Sequence, residues 1–192
     1  MATTLAPFGL EVNRHLAGGE IMVEAVAGGI TSGYGTTIYN GVPVTLSNGV
    51  LLPSASGSSQ YGVFAGWRGN ITGQGPTVRN FWQSGTVATQ IEAFIYRDPN
   101  ISYFVQATGS VPATSVGRCT NLTNTASGND NNGNSQLTVT STLVAAGTAG
   151  DVKIIGFKNG PDNAPGDTYT ILEVTLNRTN NGFVPLGGDA GV

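Results

Sequence analysis

Charged side chains are scarce in this sequence of 192 residues. Asp, Glu, Lys and Arg together make up 10% of it, against roughly 25% in ordinary soluble domains. The formal net charge of −3 offers no basic surface for phosphates, so we expect no nucleic-acid partner. Neutral polar groups must cover most of the surface, and such a surface suits contact with other protein, because little charge has to be desolvated.

Cysteine and histidine each occur once, as Cys119 and His15. A single cysteine excludes a disulfide within the chain and is typical of a small buried residue. A zinc site needs about four Cys, His or carboxylate ligands. A Ser-His-Asp or Cys-His arrangement would have to use His15, which lies in an irregular N-terminal stretch. We therefore expect no enzymatic activity, no metal and no cofactor, and a surface or interface position for His15.

Long apolar runs are also absent. The first ten residues carry no basic side chain and no apolar stretch of the length of a signal peptide. No segment approaches the ~18 consecutive apolar residues of a membrane-spanning helix. The sequence therefore predicts a protein that is made in the cytoplasm, has no membrane partner, and stays soluble or joins an assembly there.

Helical periodicity is nearly absent, and the best helix candidate is one short turn over residues 113–119. Glycine is abundant, with 29 residues. Asn-Gly pairs favour tight hairpin turns, because both residues tolerate positive φ. Five such pairs occur, beginning at Asn40, Asn48, Asn132, Asn159 and Asn181.

Short runs rich in β-branched and aromatic residues lie between these turn signals. We expect strands over residues 42–46, 50–52, 61–67, 87–96, 102–108, 136–144, 152–157 and 168–176. The first two should form a hairpin with Pro43 on an edge. Many short strands separated by turn residues predict an all-β fold, a short-stranded β-barrel or sandwich with long loops.

Two stretches interrupt the strand pattern. Residues 69–85 are rich in Gly and polar residues and predict a long loop anchored by Phe81 and Trp82; a possible subdivision of the fold lies there. Residues 121–135 predict an exposed, Asn-rich loop. Its segment Asp130–Asn134 has some oxygen ligands of a calcium loop but lacks the expected Gly and Glu, so a solvated loop is the better interpretation. We divide the chain into an N-terminal arm, 1–19, and a β domain, 20–192.

Several short stretches, spread over most of the chain, carry a resemblance to a known family. They are Ala6-Pro-Phe-Gly-Leu10 with Arg14-His-Leu-Ala-Gly-Gly19, Ser32 to Leu46, Gly62-Val-Phe-Ala-Gly66, Asp98-Pro-Asn100 with Phe104-Val-Gln106, and Val152-Lys-Ile-Ile-Gly156 with Pro161-Asp-Asn163 and Gly166-Asp167. In this order they resemble a family of tailed-bacteriophage structural proteins encoded among the head genes. Two positions depart from the family pattern: Val42 stands where Asp is usual, and Arg97-Asp98 precede Pro99 where acidic residues are usual.

The resemblance implies a cement or decoration protein on the outer surface of the capsid. Its partners would be the major capsid protein and two further copies of itself, in a homotrimer near threefold axes of the virion. Another virion part, such as a tail-tube, head-fibre or baseplate protein, is the first alternative. A carbohydrate-binding module that uses Trp67 or Trp82 as a platform is the second, although the alternation of the aromatic residues within strands favours core packing.

The N-terminal arm supplies the predicted capsid contacts, Leu5, Pro7, Phe8 and Leu10. A terminus this apolar, without a clear helix or strand pattern, is often disordered unless something holds it. We expect the capsid protein or a neighbouring subunit to hold it, with Pro7 restricting the chain and Phe8 filling a pocket. The alternative is that the segment packs on its own domain and Phe8 belongs to the core.

Overall fold

The computed structural model describes residues 4–145 and 148–177, and these residues form an all-β fold. The strands are β1 (Glu11–His15), β2 (Glu24–Ala27), β3 (Pro43–Ser47), β4 (Val50–Pro53), β5 (Gly62–Ile71), β6 (Gly75–Arg79), β7 (Ala88–Tyr96), β8 (Ile101–Gln106), β9 (Cys119–Thr123), β10 (Thr138–Leu143), β11 (Val152–Phe157) and β12 (Ile171–Leu176). In the described part of the chain, the helical structure is limited to one 3₁₀ turn, Ala113–Ser115.

The strands form two antiparallel sheets. Sheet A has the order β1-β8-β12-β11-β9-β10, and sheet B has the order β2-β7-β5-β3-β4, with β6 paired to the far half of β5. Neither sheet closes into a barrel, so the arrangement is consistent with the sandwich alternative of the sequence prediction. The predicted all-β class is confirmed.

Each sheet carries its own hydrophobic cluster. The sheet A cluster is built on Tyr103, Val105, Ile154 and Val174, and the sheet B cluster is built on Phe64, Trp67, Trp82, Ile95 and their neighbours. Two residues of sheet B contact the sheet A cluster: Val63 of β5 is buried within it, and the partly buried Tyr96 of β7 packs against it. Because burial of apolar surface is the main favourable term in folding, the protein has two centres of stability, which meet at β5 and at the end of β7.

Sheet B is an insertion within sheet A. Its strands occupy residues 24–96, whereas sheet A takes β1 from before them and β8 to β12 from after them. The chain leaves and re-enters sheet A at one place, because the Leu16 N–H donates to the Asn100 carbonyl at 2.8 Å. The passages between the sheets are therefore residues 16–23, which lead from β1 to β2, and residues 97–100, which lead from β7 back to β8. Residues 69–85 lie wholly within sheet B.

The Asn48-Gly49 hairpin is confirmed, with φ of 51° and 82° at its two turn residues and pairing of β3 with β4. The prediction that Pro43 lies on an edge is wrong, because β3 lies between β5 and β4. Pro43 is tolerated there as the first residue of its strand. The turn predicted at 113–119 is confirmed only over its first residues, since Cys119 begins β9. The predicted turn at Asn181 falls outside the described residues.

The long loop predicted over residues 69–85 is wrong. Strand β5 continues to Ile71 and forms a second hairpin with β6. Gly66 makes this hairpin possible: its φ is +140°, and a Cβ there would lie 2.7 Å from the Arg79 carbonyl oxygen. The predicted anchoring by Trp82 is confirmed, because that side chain is fully buried.

The exposed loop predicted over residues 121–135 is wrong at its start and confirmed for much of the rest, because most side chains between residues 124 and 134 are exposed. Residues up to Thr123 belong to β9. The remainder crosses to sheet B, where the Asn40 N–H donates to the Gly133 carbonyl and the Ser135 N–H donates to the Asn40 carbonyl, both at 2.9 Å. The Phe81 ring lies where a side chain at position 133 would stand. Backbone hydrogen bonds and the small Gly133 therefore hold this polar loop against sheet B, although the loop has no large apolar side chains to bury there.

Candidate interaction surfaces

The four predicted capsid contacts lie in different environments. Leu10 is 2% exposed and belongs to the sheet A cluster, so its side chain faces the interior. Leu5 is 48% exposed, and Pro7 and Phe8 are half-buried. Within the described part of the predicted arm, residues 11–15 are a strand of sheet A. The prediction of a free arm over residues 1–19 is therefore wrong for Leu10 and for β1. Only the exposed surface around Leu5 remains open to a partner.

The side chain of Gln106 holds the segment that precedes β1. Its Oε1 accepts from the Ala6 N–H at 2.8 Å, and its Nε2 donates to the Thr4 carbonyl at 3.1 Å. Gln106 itself is 2% exposed. Leaving a buried amide without these partners would cost free energy, so the segment packs along its own domain. The alternative interpretation of the sequence is therefore met for the backbone but not for Phe8, which is half-buried and lies outside both hydrophobic clusters.

A β-bulge in β1 organises the polar face of sheet A. The register between β1 and β8 shifts between Val12 and Arg14, and the extra residue lets both Asn13 and Arg14 reach one carboxylate. Glu173 accepts from Asn13 Nδ2 at 2.9 Å and from Arg14 Nε at 2.8 Å. It also accepts from Ser102 Oγ at 2.9 Å.

The network around Glu173 sets its protonation. Burial raises the pKa of the Glu173 carboxyl, but the hydrogen bonds from Arg14, Ser102 and Asn13 outweigh burial and hold the pKa below its ordinary value. The hydrogen bond and the charge of Glu173 raise the pKa of Arg14 in turn. A carboxylate that is ionised and engaged by three side chains serves as a structural acceptor rather than a general acid or base.

Lys158 lies beside the N-terminal segment. Its Nζ is 5.1 Å from the centre of the Phe104 ring and 6.0 Å from that of Phe8, distances typical of cation–π contacts. It is also 3.9 Å from Glu11 Oε2. Phe8 thus packs against the outside of its own sheet.

A cluster of exposed apolar side chains lies where the chain passes between the sheets. Leu16 and Val23 are each 45% exposed and Met22 is 74% exposed, and Pro99 lines the same surface as Met22 and Val23. We call Leu16, Met22, Val23 and Pro99 the junction patch. The sequence analysis assigned Leu16 to the arm and did not find the patch, because β1 and the turn after β7 are brought together only by long-range pairing.

His15 lies beside the junction patch, with 10% of its side chain exposed. Its Nδ1 accepts from the Gly19 N–H at 3.0 Å, so its Nε2 carries the proton and faces Asp98 Oδ2 at 3.0 Å. Hydrogen bonds from the Asn100 backbone N–H and from His15 outweigh burial and lower the pKa of Asp98. The pair fixes the connection between β1 and β2 against the turn after β7.

The two tryptophans cannot act as a carbohydrate platform. Trp67 and Trp82 are fully buried and pack edge to face at 4.8 Å between ring centroids. Their indole N–H groups donate to the Phe81 carbonyl at 2.8 Å and the Tyr34 carbonyl at 3.2 Å. The suggestion that Trp67 or Trp82 forms a carbohydrate platform is therefore wrong. The alternative prediction, that these aromatic residues pack in the core, is confirmed for both.

The remaining sequence candidates have structural partners. Asp130 accepts from the Tyr39 hydroxyl at 2.7 Å. Burial and this carboxylate raise the pKa of Tyr39. Cys119 is half-buried rather than buried. Over residues 4–145 and 148–177, no group of three or more His, Cys, Asp or Glu side chains is placed to hold a metal ion.

Within the described residues, no helix has the length and apolar character needed to cross a membrane. Neither the protein-family models, nor the curated proteins, nor the solved structures give a match to this chain.

Proposed function

We propose that this chain is a virion structural protein, a cement or decoration protein that binds and stabilises the outer surface of a tailed-phage capsid. The proposal rests on the sequence resemblance and, in the structure, on the junction patch. Its partners are the major capsid protein and other copies of the same chain. The proposed role needs no catalysis, cofactor, nucleic acid or membrane.

The junction patch carries the proposal, because it combines apolar exposure with few free charges. The charged side chains that line the same surface are already paired: Glu24 accepts from Arg97 at 3.0 Å and Asp98 faces His15. Docking against protein therefore desolvates little unpaired charge. Covering the exposed parts of Leu16, Met22 and Val23 would contribute roughly 1–2 kcal/mol each, and apolar contact is weakened little by salt. Repeated over many copies, such contacts would stabilise a shell.

The location of the protein in the particle tests the proposal. Antibodies against this chain, coupled to gold, would be applied to intact particles produced by the genome that encodes it. Labelling over the head surface supports the proposal. Labelling confined to the tail or baseplate would assign the chain to the alternative virion part, and particles without the chain would exclude both.

The junction patch itself is tested with a matched pair of substitutions. Met22→Asp places a charge in the patch, whereas Val78→Asp places the same charge at an equally exposed position, 74% in both cases, on β6. We expect Met22→Asp to abolish binding to heads that lack the protein and Val78→Asp to retain it. Equal binding by the two variants would remove the junction patch from the proposal.

Trimer formation is tested separately by sedimentation equilibrium of the purified protein. The short strand β2 pairs only with β7 and leaves a sheet edge unpaired within the described fold, and assembly would cover such edges. We expect a species of three times the 19.6 kDa chain mass. A monomer at high concentration would contradict a preformed trimer.

A further inference from the structure

A polar groove of about 440 Å³ lies on the outer face of sheet B, away from the junction patch. Strands β5, β6 and β7 form its floor, and its main polar side chains are Arg68, Asn70, Gln90 and Glu92. Trp67 is buried beneath the adjacent backbone, so the groove lies on the opposite face of the sheet from the hydrophobic cluster. The proposed assembly role does not use this surface.

The polar side chains of the groove are held in place by one another. Asn70 Nδ2 donates to Gln90 Oε1 at 2.6 Å, and Arg68 donates to Glu92. The Arg68 guanidinium also lies 5.8 Å from the centre of the Phe94 ring. Each amide is thus fixed at one end, and among the described residues the Asn70 Oδ1 and the Gln90 Nε2 have no partner of their own. An acceptor and a donor are left side by side.

The backbone at Gln90 adopts a strained conformation that orients its side chain within the groove. Its φ is 52°, a left-handed conformation that is uncommon for residues other than glycine and costs on the order of 1 kcal/mol. It lies inside β7, where the register with β5 shifts between Arg68 and Asn70. Bulges of this kind re-aim a side chain, and here the bulge turns the Gln90 amide toward Asn70.

The chemistry of the groove selects among ligand classes. A strand from another protein finds no free backbone on β5, the central strand of the groove, because β5 is paired with β6 on one side and with β7 on the other. An anion finds no net positive charge, because Glu92 neutralises Arg68. A hydroxyl group both donates and accepts, which matches the free ends of Asn70 and Gln90. The side chain of Val78, 74% exposed at the rim, offers an apolar contact for the C–H face of a sugar ring.

We propose that this groove binds a neutral carbohydrate, with Asn70 and Gln90 holding adjacent hydroxyl groups and Val78 contacting the ring. Recognition is by side chains on a rigid sheet, without the tryptophan platform that the sequence suggested. This site is independent of the proposed capsid contact.

Titration calorimetry of the full chain tests the site. The probes are neutral hexasaccharides of glucose, mannose and galactose, with hexagalacturonate as the anionic comparison. The variants are Asn70→Ala and Gln90→Gly, the second of which retains the positive φ without strain. Gln74→Ala is the matched control, because it removes an exposed amide from the turn of the same hairpin without touching the groove. Thermal unfolding verifies that every variant is folded.

We expect at least one neutral hexasaccharide to bind. Asn70→Ala and Gln90→Gly should each weaken binding about tenfold, as expected for the loss of one or two hydrogen bonds, and Gln74→Ala should leave it unchanged. The proposal is overturned if no neutral probe binds, if hexagalacturonate alone binds, or if the folded Asn70 and Gln90 variants bind as well as the control.

Discussion

Replacing Leu10 with alanine is expected to destabilise the protein far more than the same change at Leu5. Leu10 is 2% exposed within the sheet A cluster, whereas Leu5 is 48% exposed. Large-to-small changes at buried leucines cost about 2–5 kcal/mol, from lost transfer free energy and the cavity left behind. In a chain of this size each kcal/mol lowers Tm by roughly 2–4 °C. Leu10→Ala should therefore lower Tm by about 4–20 °C, and Leu5→Ala by about 2 °C or less.

The assay uses two optical probes, because the only tryptophans, Trp67 and Trp82, both lie in the sheet B cluster. Far-ultraviolet circular dichroism reports on both sheets, and tryptophan fluorescence reports on sheet B. If the sheets unfold as one cooperative unit, Leu10→Ala shifts both transitions equally. A shift in circular dichroism without a shift in fluorescence would refute the coupling. A cost for Leu10→Ala within about 0.5 kcal/mol of that for Leu5→Ala would refute the placement of Leu10 in the core.

Three further predictions concern single interactions. Because the pKa of Glu173 is lowered by folding, its ionisation stabilises the fold above the ordinary pKa of a glutamate and this contribution is lost as pH falls through the lowered pKa; urea midpoints should therefore fall less between pH 7 and pH 3 for Glu173→Gln than for the wild type. Gly66→Ala should destabilise by at least about 1–3 kcal/mol in urea unfolding, because the added Cβ meets the Arg79 carbonyl oxygen at a strained φ, and an unchanged midpoint would contradict this geometry. Asp151→Ala should cost about 1–3 kcal/mol or more by the same measurement, because the fully buried Asp151 carboxylate accepts from the Leu122 N–H at 2.9 Å and from the 54–58 loop of sheet B; a cost near zero would show that water replaces it.

Local patterns were sufficient to predict the strands whose partners are near in sequence or whose apolar alternation is strong. The β3–β4 hairpin follows from Asn48-Gly49, and β7 and β11 follow from their β-branched residues. Strand β6 was missed because Gly75 and Pro76 are poor strand residues; pairing with β5 overrides their preference. Strand β1 was missed because its partner, β8, lies far along the chain.

The interaction surfaces depend on features that no local pattern carries. The sequence drew attention to Phe8 and Leu10 as apolar residues but could not tell that Gln106 holds the backbone beside them. The junction patch requires the pairing of Leu16 with Asn100. The groove requires a bulge that places Gln90 against Asn70, and a bulge arises from the register between two strands, which single-strand periodicity does not encode.

The insertion of sheet B within sheet A has a consequence for synthesis on the ribosome. Strand β1 emerges early, but its partner β8 follows only after about 90 further residues, which takes roughly 5–20 s at ordinary rates of translation. All strands of sheet B emerge during that interval and pair only with one another. Sheet B can thus fold before β1 has a partner strand, and Leu10 and Val12 remain exposed to solvent during this time. Closure of sheet A around β1 is therefore a late event, and the nascent chain is most open to aggregation or chaperone binding at its first strand.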